Sequence, residues 1–320
     1  MRVAVIGAGM SGLTCARELE AAGASVSVFD KGRAVGGRMA TRTIDGARFD
    51  HGAQHFSVRS PEFASVIDPL RDDGLVTTWF ESPSLTEPAL GIEPRFVGRA
   101  GMRRVPEALS RGMDVRLGSR VRALETTGSA VSVRTGDGEA GAFDAVVCTA
   151  PVPQTVELLA ASAIPIPEKV RRQTQSLGYD PCLAVLAIPS DDPGLVDGHL
   201  AAEGTVAWMA DNHQKGISDA PSLTIHAGAQ FSSANLELEP ADWSPIIVAE
   251  AERLVGCRLE GVGTHRWRYS IPKHALDDGA LRFDDAGVPV VLAGEIFAGA
   301  RVEGAFTSGR TAARMLIGTA

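Results

Sequence analysis

The sequence predicts an α/β chain in which a doubly wound, mostly parallel sheet is interrupted by an inserted α+β domain built on an antiparallel sheet. Three observations carry this. The chain opens on an apolar strand that runs into a glycine-punctuated turn and then a helix. Two further apolar runs, 144–150 and 288–293, read as strands covered on both faces, as in a parallel sheet. From about residue 153 to 287 the pattern alternates between apolar and polar positions, as in an antiparallel sheet with one covered face.

The opening element is the most specific. Val3-Ala4-Val5-Ile6 leads into Gly7-Ala8-Gly9-Met10-Ser11-Gly12, and Asp30 follows the second strand, Val26-Ser27-Val28-Phe29. Gly7 suits the tight turn, Gly9 removes the side chain that would hold a diphosphate off the backbone, and Gly12 allows close helix–sheet packing. The first-turn N–H groups, with the positive end of the helix dipole, face the diphosphate. Asp30 is placed to accept hydrogen bonds from an adenosine ribose, which favours a free 2′-hydroxyl. The helix carries Ala16 and Leu19 on one face and charge at Arg17, Glu18 and Glu20. Together these predict a dinucleotide site.

A second glycine loop follows, Lys31-Gly32-Arg33-Ala34-Val35-Gly36-Gly37-Arg38-Met39, and after it Asp50-His51-Gly52-Ala53-Gln54-His55-Phe56. The pattern then predicts a helix near 61–70, a loop through 82–94, and a turn with a short helix within 98–112. Strands are predicted at 114–117, 120–125, 130–135 and 142–148. Alternating strands follow at 177–188, 205–210, 222–231 and 262–270, with a helix at 240–255. In 222–231, Thr224, His226 and Gln230 share the polar face. His265, Trp267 and Tyr269 share one strand face, expected to pack on the 240–255 helix, with Trp267 the exception that reaches substrate. A last strand, 288–293, leads through Gly294-Glu295 and a glycine loop to a helix from about Val302 to Ile317.

Composition narrows the function. Hydrophobic residues make up 44% and charged residues 22%, with a net charge of −8 and no basic block, which argues against nucleic acid and anionic membranes. No run approaches the roughly 18 apolar residues of a membrane span. The four cysteines form no C-x-x-C pair, so neither a zinc site nor a disulfide framework is expected; they read as reduced thiols of a cytoplasmic protein.

The C-terminal element separates flavin from nicotinamide. A second helix N-terminus returning to the cofactor has no clear use in a nicotinamide dehydrogenase. A flavin gains from it, because reduction places negative charge near the N1/O2 edge. Residues 1–56 and 288–317 resemble the flavin-containing amine oxidase superfamily, with its Rossmann turn, its R-x-G-G-R loop around Arg33 to Arg38 and its C-terminal FAD helix. Within it the chain is most similar to bacterial renalase-like members. That likeness rests on 50–56, Arg95-Phe96-Val97-Gly98 with Gly101-Met102, Ile225-His226-Ala227, 265–269 and 299–306. Three positions depart from the pattern: Gly294-Glu295 stands where Gly-Asp is usual, His55 where tyrosine is common, and no tryptophan lies near Cys182.

The resemblance implies a glutathione-reductase-like arrangement, with a Rossmann-type FAD-binding domain over 1–56, 96–152 and 288–320 and a substrate domain over 57–95 and 153–287. It implies non-covalent FAD held by Gly7, Gly9, Met10, Ser11, Gly12, Asp30, Lys31, Gly37, Arg38, Met39, Gln54, His55, Val121, Glu295, Arg301, Val302 and Ala305. Substrate contacts are expected from His55, Phe56, Ser57, Val58, Arg59, His226 and Trp267, with Arg59 meeting a ribose phosphate. The implied reaction is oxidation of 2- and 6-dihydro isomers of NAD(P), with oxygen as acceptor and hydrogen peroxide as product. Hydride transfer removes no substrate proton, so no general base is required; His226 is the candidate catalytic residue. The alternatives are a flavin-containing oxidase of a small amine, disfavoured by an aromatic content of 5%, and a flavoprotein acting on another substrate or only binding. Expected partners are a small nicotinamide dinucleotide and O2, with no metal.

Overall fold

The computed structural model describes residues 1–83, 91–162 and 164–318; the middle of the expected 82–94 loop, 84–90, lies outside them. The chain forms two compact units, one of Met1–Gly37, Pro106–Gly178 and Pro272–Ala320, the other of Arg38–Val105 and Tyr179–Ile271. Relative to the expected division, 38–56 and 96–105 lie with the second unit, and 153–178 and 272–287 with the first.

The first unit is built on a six-stranded sheet. Strand β1 (Arg2–Ile6) pairs in parallel with β2 (Ser25–Phe29) on one side and β11 (Ala145–Cys148) on the other. Beyond β2 lies parallel β7 (Asp114–Arg116); beyond β11 lie parallel β18 (Val290–Leu292) and antiparallel β17 (Leu281–Phe283). The chain leaves β1 toward β2 and comes back on its other flank at β11, so a topological switch point sits at the carboxyl end of β1. Val3, Ala4, Val5, Val146, Val147, Val290 and Val291 are fully buried, which explains why these strands read as unbroken apolar runs.

Helix α1 (Met10–Ala21) follows β1, and α8 (Val302–Ile317) closes the unit. The two helices pack so closely that a Cβ on Gly309 would fall under 3.0 Å from the Ser11 carbonyl oxygen. A three-stranded antiparallel sheet, β8 (Val121–Thr127), β9 (Ala130–Thr135) and β10 (Gly138–Phe143), also belongs here. The expected single strand over 142–148 is therefore two. Asp144 divides them: its N–H donates to the Arg2 carbonyl and its carboxylate accepts from the Arg2 N–H at 2.7 Å, turning the chain from β10 into β11.

The second unit carries a five-stranded antiparallel sheet ordered β13 (His199–Ala201), β14 (Val206–Asp211), β15 (Leu223–Ala227), β12 (Tyr179–Pro189), β16 (Leu259–Pro272). One face packs on α7 (Pro240–Val255), whose Trp243, Ile247 and Ala251 recur every four residues and meet Val185, Met209 and Ile225. Proline at its first turn and Gly256, left-handed at φ 73°, mark its ends as the sequence expects. The opposite face packs Leu186 on Ala47 and Phe49 of a hairpin, β3 (Thr41–Ile44) and β4 (Ala47–Asp50). That hairpin was not expected, nor was β5 (Val76–Pro83) with β6 (Ile92–Gly98), whose strands occupy both ends of the expected loop. Two other expectations need correction. The strand over 222–231 stops at Ala227, and Gln230 lies in helix α6 (Ala229–Ala234), because Gly228 accepts the first helical bond from Ser232. The aromatic row of β16 packs elsewhere than expected: His265 and Trp267 on His51 and Tyr269 on Tyr179, while Arg268 pairs with Glu237 and Arg266 reaches the Leu238 carbonyl.

Candidate functional site: a dinucleotide cradle and a ring-lined face

In the first unit, two turns of the same construction open α1 and α8. Gly7 has φ +116° and a Cβ on Gly12 would fall under 3.0 Å from the Gly7 carbonyl oxygen; Gly299 has φ +109°, and Gly304 stands in the same relation to it. Each helix therefore starts on a glycine carbonyl tucked under its third residue, which only a glycine there permits. Neither helix receives a side-chain hydrogen bond from its N-cap residue, Gly9 in α1 and Arg301 in α8, which leaves the first-turn N–H groups without a cap of that kind. A Cβ built on Gly9 meets nothing within 4 Å, and the buried Ser11 hydroxyl has no hydrogen-bond partner. Open space beside a row of donors and an orphaned hydroxyl is what a diphosphate would use. These residues fit a dinucleotide.

Asp30 is tied into the cradle. Its Oδ2 accepts from the Ala8 N–H at 2.7 Å and its Oδ1 from the Gly32 N–H at 2.6 Å, which fastens the first turn to the loop after β2. Each carboxylate oxygen keeps a second lone pair for a ribose hydroxyl. The second glycine loop folds onto the first: the Gly36 N–H donates to Ala8 at 2.8 Å, and a Cβ on left-handed Gly37 would lie 3.6 Å from the Gly9 Cα. Lys31 reaches Gln154 at the surface, and Val121 starts β8 half-buried. Glu295 is buried just after β18, where the Ser308 hydroxyl accepts from the Gly294 N–H at 2.8 Å; Val302 and Ala305 lie in the first turn of α8. Sequence reasoning missed Thr149, whose hydroxyl donates to the carbonyls of Ile6 and Gly7 and holds the turn from behind. Its only sequence signal is the small-residue end of an apolar strand.

The second unit holds the other expected residues. Asp50 is completely buried: Oδ1 accepts from the Thr41 hydroxyl at 2.6 Å and the Met102 N–H at 2.8 Å, and Oδ2 meets the equally buried Lys215 ammonium at 2.8 Å. Burial pulls Lys215 below the usual lysine range, against the opposing pull of Asp50. Gln54 ties the following loop together, donating to the Asp50 and Gly52 carbonyls. Arg38 donates to the Tyr269 and Ser270 carbonyls, and Met39 is buried.

The His51 carbonyl accepts from both Trp267 Nε1 at 2.6 Å and His226 Nε2 at 3.0 Å. A carbonyl only accepts, so His226 carries its proton on Nε2. The His51 ring stacks on Trp267 with centroids 5.3 Å apart. Burial, aided by His265 and His226, brings His51 down to about 3; burial likewise brings His226 to about 4. His55 also falls to about 3, through burial first and then Lys215, Arg95 and His199. All three imidazoles are neutral at neutral pH.

His55 opens a second ring group that sequence reasoning missed. Its ring lies 5.5 Å from Phe80, 5.9 Å from Trp208 and 6.3 Å from Trp79, and His199 stacks between Phe80 and Trp208 at 4.0 and 4.9 Å. Trp208 pairs across the sheet with His226, which links the two groups. Phe56, by contrast, is buried between Phe63 and Phe96. Arg59 forms a two-bond pair with Glu93 at 2.7 and 2.8 Å, and Arg95 joins it on the same carboxylate and on the Ser57 hydroxyl; Val58 lies between, half-buried. Phe56 and Arg59 thus serve packing and a buried ion cluster, whereas His55, His226 and Trp267 lie on the ring-lined face.

A parallel sheet with a glycine turn and a carboxylate at its switch point, closed by a second uncapped helix, defines a dinucleotide-binding flavoprotein oxidoreductase. The chain belongs to the flavin containing amine oxidoreductase family, whose model matches residues 90–317, while a model of the NAD(P)-binding Rossmann-like domain matches 5–70. It is 27% identical over 302 residues to renalase of Mus musculus, covering 87% of each chain. Two solved structures share the fold: a putative protoporphyrinogen oxidase from Exiguobacterium sp. 255-15, with TM-score 0.74, 14% identity and 100% and 99% of the two chains covered, and a putrescine oxidase variant, with TM-score 0.72, 18% identity and 100% of both covered. The cofactor of this chain is FAD. Among the described residues, no helix is long and apolar enough to cross a membrane.

Proposed function

We propose that the protein is an FAD-dependent oxidase of 2- and 6-dihydro isomers of NAD(P), returning them to the aromatic nicotinamide, with O2 as final acceptor and hydrogen peroxide as product. The observation that carries this reading is the similarity to renalase over 87% of both chains. The bound flavin supplies a hydride acceptor at N5 and passes the electrons on to oxygen.

What the chain's own residues contribute follows from their placement. The uncapped first turns of α1 and α8 and the Ser11 hydroxyl would hold the diphosphate and the flavin's acceptor edge, with Asp30 on the ribose and Glu295 on the ribityl chain. Loss of a hydride leaves the substrate ring aromatic and removes no proton, so a base is not needed. The site chemistry agrees, since His51, His55 and His226 are too weakly basic to take a proton from a substrate. His226 acts as a positioning residue, donating to the His51 carbonyl that also accepts from the Trp267 indole.

A second reading, oxidation of a small amine, is favoured by the rings of Trp79, Phe80 and Trp208, which could form a cage. The Lys215 ammonium, 4.9 Å from the Trp79 ring centroid, works against it, because a cation already occupies that π-face. Anaerobic mixing decides between them. The dihydro isomers should bleach the yellow protein rapidly, while mono- and polyamines leave it oxidised; the opposite pattern refutes the proposal.

A further inference from the structure

Five of the seven histidines and three of the four tryptophans lie in one band in the second unit: His51, His265, Trp267 and His226, continuing through Trp208 to His55, Trp79 and His199. Four buried ring nitrogens of the band have no hydrogen-bond partner: His51 Nδ1, His55 Nδ1, Trp79 Nε1 and Trp208 Nε1. An indole N–H can only donate, so two of these are donors lacking an acceptor. Buried donors in a folded protein are nearly always paired, and a group left unpaired asks for a partner from outside. The rings of Trp79, Trp208, His55 and His199 are half-buried, with part of each ring open to solvent.

Charge adds a direction to this. The Asp50 carboxylate is turned inward, onto the Thr41 hydroxyl and the Met102 N–H, while its partner Lys215 lies over the Trp79 ring. Lys215, Arg95 and His199 all act on His55 so as to disfavour positive charge there. The surface is rich in donors and biased against cations.

We infer that the Trp79–His55–Trp208 end of the band receives an uncharged, acceptor-bearing planar ring, a dihydropyridine carboxamide in this protein, with the two indoles as donors to its carbonyl and Lys215 as the residue that excludes ammonium ions. The identity of the ring rests on the proposed oxidase reading; the donor lining and the charge bias do not. A carboxamide presents both an acceptor oxygen and donor hydrogens, so the neutral His55 imidazole can serve it as well. The orphaned nitrogens and the inward-turned carboxylate then have one common purpose.

Benzamide and benzylamine test this on the FAD-loaded protein by isothermal titration calorimetry near neutral pH. They share the ring and differ in carbonyl and charge. Benzamide should bind at least about tenfold more tightly. Trp79→Phe and Trp208→Phe, which keep a ring and remove the N–H, should each weaken benzamide by about 3- to 10-fold, the range of one neutral hydrogen bond, and leave benzylamine unchanged. The double variant Asp50→Asn/Lys215→Met, which removes both charges at once and avoids leaving one buried alone, should tighten benzylamine and narrow the preference. Benzylamine binding as tightly as benzamide, absent benzamide binding, or indifference of benzamide to both tryptophan variants overturns the inference. If the dihydro isomers fail to reduce the flavin while the tryptophan dependence holds, the oxidase reading falls and the donor-lined site stands. If they reduce it and the dependence is absent, the reverse follows.

Discussion

Replacing Gly9 and Gly12 by alanine, one at a time, sets the folding demands of the first turn against its binding demands. Gly9 has φ −82° and ψ −178°, which any residue adopts, and a Cβ there meets nothing within 4 Å. In the cofactor-free protein Gly9→Ala should therefore be neutral or stabilising by about 0.4–1 kcal/mol, because alanine narrows the unfolded ensemble. The same methyl occupies the space through which a diphosphate approaches the α1 amides. Losing one charge-assisted hydrogen bond of about 1.5–3 kcal/mol should weaken FAD binding by about 10- to 150-fold. At Gly12 the Cβ would fall under 3.0 Å from the Gly7 carbonyl oxygen and from the Thr149 hydroxyl, so the turn itself must move. Gly12→Ala should destabilise the cofactor-free protein by about 1–3 kcal/mol, as overpacking does. Urea unfolding of the apoprotein and fluorescence titration with FAD measure the two quantities. If Gly9→Ala lowers apoprotein stability as much as Gly12→Ala does, or binds FAD like the wild type, the assignment of roles is wrong.

Two further outcomes follow from the second unit. The folded-state values of His51, about 3, and His226, about 4, lie below the ordinary 6.5, so the unfolded chain takes up protons first. Their contribution to stability is complete above about pH 6.5 and is lost as the pH falls toward 4 and then 3; the urea midpoint should drop across that window, and His51→Asn should flatten the slope. A wild-type midpoint independent of pH there would contradict the burial of both rings. Glu93→Gln removes the carboxylate that Arg59 and Arg95 share, and should cost about 3–5 kcal/mol in urea unfolding, as breaking buried ion clusters does. A loss below about 1 kcal/mol would show that the cluster is effectively solvated.

What could be read in advance follows from where each constraint is stored. The cradle was legible because its requirements are local: a left-handed turn, a glycine under a helix and a carboxylate one strand later all fall within Gly7 to Asp30. Helix α7 was legible end to end, since proline and glycine fix its boundaries and Trp243, Ile247 and Ala251 its buried stripe. The ring-lined face was not. His55, Trp79, His199 and Trp208 come from four separate segments whose meeting depends on sheet order, which no spacing records. A low aromatic content counted against an aromatic cage, whereas Trp79 and Phe80 from one strand and Trp208 from another meet in one group. The parity of β16 was read correctly, but the partner of its aromatic face was not, because both faces carry large side chains: His51 takes His265 and Trp267, while Glu237 and the Leu238 carbonyl take the arginines. The ion pair of Arg59 could not be read in advance, because its partner, Glu93, lies on β6 of an unrecognised hairpin.

The packing of α1 against α8, with Gly309 on the Ser11 carbonyl, joins segments separated by almost the entire sequence. Contacts of such high contact order are made late, after most of the chain's entropy has already been lost. Until then the first glycine turn has no partner helix, and FAD would meet half of its cradle. Cofactor capture should therefore be among the final events of folding, and apoprotein interrupted before that point would present the apolar flank of α1 to solvent and to other chains.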